Sequence, residues 1–413
     1  MVPRDKGNTR TAQATGQEPK APKKLPRTTL TGINAEPSQL VTVMVTAMVE
    51  TTGQVRFGDG TDIDTTITEK DTVALPDGDS VLKYAWAGTK RRGVDRRVIH
   101  ELRNAHRPEF MNCYIGNLCG QCPTCWLYGF TGTTGVKDSP VKDINAKSRI
   151  LYATSVSVEG LGDFPPNRHA RNAVDERTQK TGTATSGESG IHREEFIPEG
   201  VHFPVYTAAV RVFPREFGAF AHGLLESLNS NRYTAGSRAM GGMKFADVKE
   251  WRGPALIVDV SHDGVFPLAA PKIASSELNF NNALSTLTGM VVSNSIKTLL
   301  EAMGFKVDLA EGQEQDKTLA VKDGETEVFQ IGFKLGMLTV KQDEAMLMTR
   351  YWGERARGYL ESQRLAYRAY LADQATGRFW ADVEPYVNAI RGKPETAPED
   401  EGSENESDTE TTG

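Results

Sequence analysis

A chain of 413 residues, 38% hydrophobic and 25% charged, has enough apolar material for one large domain or two and excludes wholesale disorder. The net charge of −6 excludes a uniformly cationic, histone-like binder, but that charge is unevenly spread. Residues 1–27 hold seven Lys/Arg against two acids, and residues 394–413 hold eight acids and no base, so the stretch between them is near balance and free to carry local basic faces.

The two ends, 1–27 and 394–413, lack hydrophobic periodicity and read as a disordered basic tail and a disordered acidic tail. The stretch between Met1 and Arg27 has no apolar core of the kind a secretory leader needs, and no apolar run approaches the ~20 residues of a membrane helix. The expectation is a soluble cytoplasmic protein without a membrane partner. Ordered structure opens at Leu40–Val49, β-branched and near-alternating, which reads as a central strand. Arg96–His106 reads as a helix with Val98, Ile99 and Leu102 on its apolar face. Arg149–Val158 is a second strand. The Gly/Thr/Ser/Asn-rich stretch from Gly160 to Gly190 is too long for an ordinary connection. Val201–Phe213 is a third strand, and Pro214 starts a helix over Arg215–Asn229. Pro254–Val260 is a short buried strand, Ser293–Met303 a helix, and Lys317–Phe333 a hairpin about Asp323-Gly324. A long helix over Asp343–Asp373 and a shorter one near Phe379–Ile390 close the chain. Interleaved strands and helices with long insertions suit an α+β domain, for which a β-α-β-β-α-β ferredoxin-like core is one candidate.

All four cysteines, Cys113, Cys119, Cys122 and Cys125, lie within thirteen residues. In an intracellular chain that crowding points to thiolate metal ligation rather than disulfides. Structural zinc is the first choice, because four thiolates close its tetrahedron, and an iron–sulfur cluster is the second. Gly116, Gly120 and Pro123 supply tight turns.

Lys90-Arg-Arg-Gly-Val-Asp-Arg-Arg97 packs five bases and one acid into eight residues at the entrance of a helix. Lys90, Arg91, Arg92, Arg96 and Arg97 are therefore candidate phosphate contacts, against the blander reading of a solvated helix face. Tyr84 and Trp86 offer stacking surfaces beside them. Gly236–Lys244 is a second candidate: Gly241 and Gly242 would let backbone approach a ligand, and Arg238 and Lys244 would neutralise phosphates. It has neither the Walker ending nor the strand-first context of a dinucleotide loop. Catalytic patterns are poor: the seven histidines are scattered, and Asp59, Asp62 and Asp64 read as a polar turn before they read as a Mg2+ site.

Three stretches resemble a known family. Asn112-Cys-Tyr-Ile-Gly-Asn-Leu-Cys-Gly-Gln-Cys-Pro-Thr-Cys-Trp-Leu-Tyr-Gly129 is similar to the Cys-rich motif of the backbone subunit of type I-D CRISPR interference complexes, a branch of the seventh-subunit family in the repeat-associated RNA-binding superfamily. Asp175–Ala184 followed by Glu194–Phe203 resembles the superfamily's thumb leading into a Pro-x-Gly-x-x-Phe strand, and Gly236–Lys244 sits where the superfamily has its glycine-rich loop. The resemblance spans roughly Leu40 to Asp373. It implies a ferredoxin-like (RNA-recognition-motif) palm over 28–393, with a zinc-binding loop at about 107–135, a flexible thumb at about 160–200 and C-terminal helices. It implies copies stacked in a helical filament along a guide crRNA, presented to a target DNA strand beside other effector subunits. On that reading Arg168, His169, Arg171 and Arg177 are thumb cations that follow the RNA. The aromatic strand signature of RNA-recognition motifs is missing, so base stacking on the sheet is not expected. No catalytic residue is assigned. Some type III relatives cut with an aspartate in the loop after the first strand, a place Asp64 shares, which keeps a metal-dependent nuclease as the alternative, beside a zinc-bearing single-stranded RNA binder outside CRISPR.

Overall fold

The computed structural model describes residues 40–62, 65–75, 77–107, 111–131, 145–172, 191–234, 241–246, 256–262, 317–323, 326–334, 336–342, 345–372 and 384. The first strands are β1 (Val41–Thr51), β2 (Gly58–Asp62), β3 (Thr65–Thr68), β4 (Lys70–Ala74), β5 (Ser80–Trp86), β6 (Phe130–Thr131) and β7 (Asn145–Ala146). Then come β8 (Ile150–Tyr152), β9 (Ser155–Gly160), β10 (Asn167–Asn172), β11 (Ile191–Phe196), β12 (His202–Val212), β13 (Met243–Phe245) and β14 (Leu256–Ser261). The last are β15 (Lys317–Asp323), β16 (Thr326–Lys334), β17 (Met337–Gln342) and β18 (Ala345–Trp352). The helices are α1 (Gly88–His106), α2 (Pro123–Tyr128), α3 (Pro214–Asn229) and α4 (Gly353–Ala372). No described helix is long and apolar enough to cross a membrane.

The molecule is a mixed α/β structure dominated by antiparallel pairing. Its main sheet runs β15-β16-β17-β18-β14-β1-β12-β8, with β13 continuing the β14 side of β1. β1 is central because its β-branched and Met residues can be covered on both faces: Val43 through Val49 are all buried. It pairs with β12 from Val43↔Ala209 to Glu50↔His202, and with β14 from Thr42↔Ser261 to Ala47↔Leu256. Val43, Val45, Ala47 and Val49 alternate onto the face that α3 covers with Phe217, Phe220, Leu224 and Leu228. α3 starts as the sequence suggests, with Pro214 in its first turn and the Glu216 carboxylate accepting from the Phe213 amide at 2.8 Å. Gly218 lets α4 close on α3, since a Cβ there would lie 2.9 Å from the Gln363 carbonyl oxygen.

Smaller sheets surround this core: β4-β5-β9, β6-β7, and β10-β11-β3-β2, whose β11–β3 contact is parallel. Three expectations change. Arg149–Val158 is two strands, broken at Ala153-Thr154: β8 joins β12 and β9 joins β5. The long final helix begins at Gly353, because Ala345–Trp352 is paired on one side with β14 and on the other with β17, and that pairing overrides helix-favouring Met and Leu. α1 begins at Gly88, two turns before the sequence pattern suggests. The tails, the helix over Ser293–Met303, all but Glu384 of the helix near Phe379–Ile390, and 173–190 of the expected thumb lie outside the described residues.

Candidate metal centre and cationic cleft

The cysteines are gathered by a short run of tight turns. Tyr114 and Asn117 bridge across Gly116 at φ 102°, and Gly120 sits at φ 64°. Cys122 caps α2, with Pro123 in the first turn and Cys125 one turn on. All four are free thiols, and their sulfurs lie within 4.8 Å of one another. Cys113 and Cys125 are 3.4 Å apart, and Cys119 and Cys125 are 3.8 Å apart. Ligands at ~2.3 Å around tetrahedral zinc stand about 3.8 Å from each other, so the set fits a four-coordinate site. The donors around it suit thiolates. The Cys119 amide donates to Cys113 Sγ at 3.4 Å, the Gln121 amide to Cys119 Sγ at 3.4 Å, and Arg103 Nη1 to Cys122 Sγ at 3.3 Å. Hydrogen bonds from Cys119, Cys122 and Cys125 drive the Cys113 thiol well below its usual pKa, while hydrogen bonding to Cys113 pushes Cys119 and Cys125 up. Cys122 is also lowered, to about 6, so two sulfurs ionise readily while the other two are held protonated, and a divalent cation would let all four ionise together. The centre is sealed by Leu40, Trp126, Phe130 and Phe213, and the Trp126 indole donates to the Gly120 carbonyl at 2.8 Å.

α1 links this centre to the rest of the molecule and presents three faces. Arg91, Asp95, Val98 and Ile99 point inward. Asp95 accepts from Tyr152 Oη at 2.8 Å and Tyr233 Oη at 2.5 Å, and burial raises the pKa of its carboxyl. Arg92, Arg96 and Arg103 face the metal loop. Arg92 donates to the Tyr128 carbonyl at 2.6 Å, and the Arg92 and Arg96 guanidiniums each lie 5.7 Å from the Tyr128 ring centre. Lys90, Gly93, Val94 and Arg97 face a cleft of about 430 Å³.

That cleft is cationic. Arg56, Lys90, Arg97 and Arg232 line it without an acidic residue, and Phe57, stacked on Trp86 at 4.9 Å, forms its floor with Tyr233. A second cavity of about 330 Å³ continues along Arg97, Val98 and Glu101. Arg97 is exposed and makes no ion pair or hydrogen bond among the described residues. The other three are paired: Lys90 to Glu69 at 2.5 Å and to the Gly58 carbonyl, Arg56 to Glu194 at 2.8 Å with both side chains largely buried, and Arg232 to Glu101 at 2.7 Å with both side chains half exposed. The exposed Arg232 pair is weak enough to exchange for phosphate. Arg56 and Arg232 had no sequence signal, because folding alone brings their segments to α1.

Several expected contacts take other roles. Arg91 is buried, its guanidinium donating to the Ala153 carbonyl and lying 5.2 Å from the Trp86 ring, so it is a core residue and not a phosphate contact. Tyr84 and Trp86 are buried and offer no stacking surface. The Cβ positions of Gly241 and Gly242 are taken by the Gly53-Gln54 backbone and the Asn231 side chain, so these glycines close on their own chain rather than on a ligand. Lys244 is half exposed, 3.4 Å from Glu50. Arg168 donates to Glu195 at 2.8 and 3.0 Å, a buried carboxylate it shares with Lys70, and His169 meets Gln54 at 2.9 Å. Arg171 lies on β10. Asp64, Arg177 and Arg238 lie outside the described residues.

A family model described as "Csc2 Crispr" matches residues 84–247, from the end of β5 through α1, the metal loop and α3 to just past β13. No curated protein sequence matches. Among solved structures the chain is similar to the crystal structure of Thermofilum pendens Csc2, at 15% identity and a TM-score of 0.38, covering 63% of this chain and 78% of that one. It is similar to a chain of a type IV-B CRISPR complex at 11% identity and a TM-score of 0.36, covering 56% and 96%. It is also similar to a chain of a Csm3-Csm4 subcomplex of the type III-A interference complex, at 12% identity and a TM-score of 0.27, covering 54% and 80%.

Proposed function

We propose that this chain is the guide-RNA-binding backbone subunit of an intracellular CRISPR interference complex of the type I-D kind. The observation that carries the reading is the family match, because its span contains both α1 and the four-cysteine loop. The strand order β14-β1-β12-β8, with α1 between β1 and β8 in the chain and α3 between β12 and β14, supports a ferredoxin-like palm. The β10–β11 hairpin supports a thumb rooted by the Glu195 network. Cys113, Cys119, Cys122 and Cys125 would hold structural zinc, since four protein ligands leave no open position.

In this reading the cleft cations Arg56, Lys90, Arg97 and Arg232 take guide phosphates, joined by Arg92 and Arg96 on the neighbouring face of α1, by Lys244 on β13, and by Arg168, His169, Arg171 and Arg177 along the thumb. Arg238, with Gly241 and Gly242 shaping its loop, completes the track. None of these side chains reads a base, which suits a protein whose specificity is delegated to guide–target pairing. A head-to-tail, non-closing interface would string copies along the guide and present it to target DNA and to the other subunits. The test is sedimentation of purified protein with unrelated single-stranded RNAs of increasing length. Mass should grow stepwise, one subunit per fixed length of RNA. A single subunit on every RNA, or no binding at low salt, would overturn the reading.

A further inference from the structure

α1 carries a charge where its inward pattern would take an apolar residue. Arg103 is fully buried. Its Nη1 donates to Cys122 Sγ at 3.3 Å, and its Nη2 to the Cys113 carbonyl at 2.9 Å. Nε and Nη2 also hold Asn104 Oδ1 at 3.1 and 2.8 Å, which fixes the plane of the guanidinium. The fork therefore spans two of the four cysteines from the helix side.

Four thiolates around a divalent cation carry a net charge of −2. A dianion in an apolar pocket is costly unless an opposite charge sits beside it with its hydrogen bonds satisfied. We propose that Arg103 is that counter-charge: a positioning residue that stabilises the metal-loaded four-thiolate centre and ties α1 to it. The inference rests on reading the cysteine cluster as a metal site. Without metal the four sulfurs cannot all be ionised together, so the guanidinium faces less negative charge and the larger part of its contribution belongs to the loaded state. Lysine could supply the charge but not the two-pronged contact.

The experiment uses the full-length protein and the variants Arg103→Gln and Arg103→Lys. Metal content is measured first. Zinc affinity follows from competition with a chromogenic chelator, and thermal melting is recorded for zinc-loaded and zinc-stripped protein. One equivalent of zinc is expected in the wild type. Arg103→Gln should bind zinc about 10- to 100-fold more weakly, the range for residues that support metal ligands, and should lower the melting temperature of the loaded form far more than that of the stripped form. Arg103→Lys should fall between the two. In cobalt-substituted protein the thiolate charge-transfer band should shift in Arg103→Lys, which reports the missing hydrogen bond even where Arg103→Gln does not fold. Equal zinc affinity within twofold, equal melting losses in both forms, or an unshifted cobalt band would overturn the assignment and leave Arg103 a packing residue. A wild-type protein with neither zinc nor another metal would remove the metal reading itself, and this inference with it.

Discussion

Replacing Arg97 and Arg232 together by alanine separates binding from folding. Arg97 makes no ion pair among the described residues, and Arg232 loses only its pair with Glu101, whose side chains are 50% and 55% exposed. An exposed pair of that kind contributes about 1 kcal/mol or less, so the melting temperature should move by only about 2 °C. RNA binding should respond much more. Each single-strand phosphate that is no longer neutralised by a cation lowers the salt slope by ~0.7, so the double variant should show a slope smaller by about 1.4. Over a fourfold range of salt its affinity should then change roughly sevenfold less than that of the wild type. Fluorescence anisotropy with two unrelated single-stranded RNAs, titrated at several potassium chloride concentrations, measures this directly. Arg91→Ala is the control for the opposite case. Its side chain is buried between Trp86 and Tyr152, and its removal should cost ~3 kcal/mol of stability by leaving Asp95 without a neighbouring cation. A salt slope within about 0.3 of wild type in the double variant, with melting unchanged, would refute the cleft as the phosphate track.

Stability should also fall in acid through His222, which burial and the nearby Arg364 hold at a pKa of about 4. The unfolded chain takes up that proton near pH 6.5, so stability is full above that pH and declines by ~3 kcal/mol as pH falls from 6.5 to 4. His222→Phe should remove that part of the slope in a pH series of chemical melts, and an unaltered slope would show the ring to be accessible. Cys119→Ser should lower zinc below one equivalent and lower the melting temperature, because ligand loss and local unfolding are coupled; full metal content with normal melting would rule out the zinc site. Gly88→Ala should cost ~1–3 kcal/mol, since a Cβ there runs into the Tyr152 carbonyl and forces α1 off β8. Wild-type melting in that variant would mean that the helix start yields freely.

Much of the main sheet and its covering helix could be read from the residues. The β-branched run at Leu40–Val49, the Pro214 start of α3 and the hairpin about Asp323-Gly324 each carry a local signal that tertiary structure reinforces. The cysteine spacing announced the four-thiol cluster for the same reason: its members are near neighbours in the chain. What stayed hidden depends on long-range partners. The first two turns of α1 escaped the hydrophobic pattern because their inward stripe is Arg91 and Asp95, whose burial is possible only beside Tyr152 and Tyr233. Ala345–Trp352 has helix-forming composition and becomes a strand because β14 and β17 claim both its edges. The basic run Lys90–Arg97 looked like one patch, but helical geometry distributes it: Lys90 and Arg97 reach the cleft, Arg91 the core, Arg92 and Arg96 the metal loop.

That distribution makes α1 a keyed shaft. Each residue along an α-helix advances the next by 100°, so inserting or deleting a single residue between Asp95 and Arg97 would turn everything downstream by more than a quarter revolution. Arg103 would leave the thiolates, Val98 and Ile99 would leave the core, and Arg97 would leave the cleft, all in one step. Point substitutions can alter these three attachments one at a time, but changes of length within the helix cannot. A change of chain length in this protein is therefore expected to be tolerated only in the segments on either side of the helix, where the rotational phase that α1 carries from the cysteine cluster to the cationic cleft is left intact.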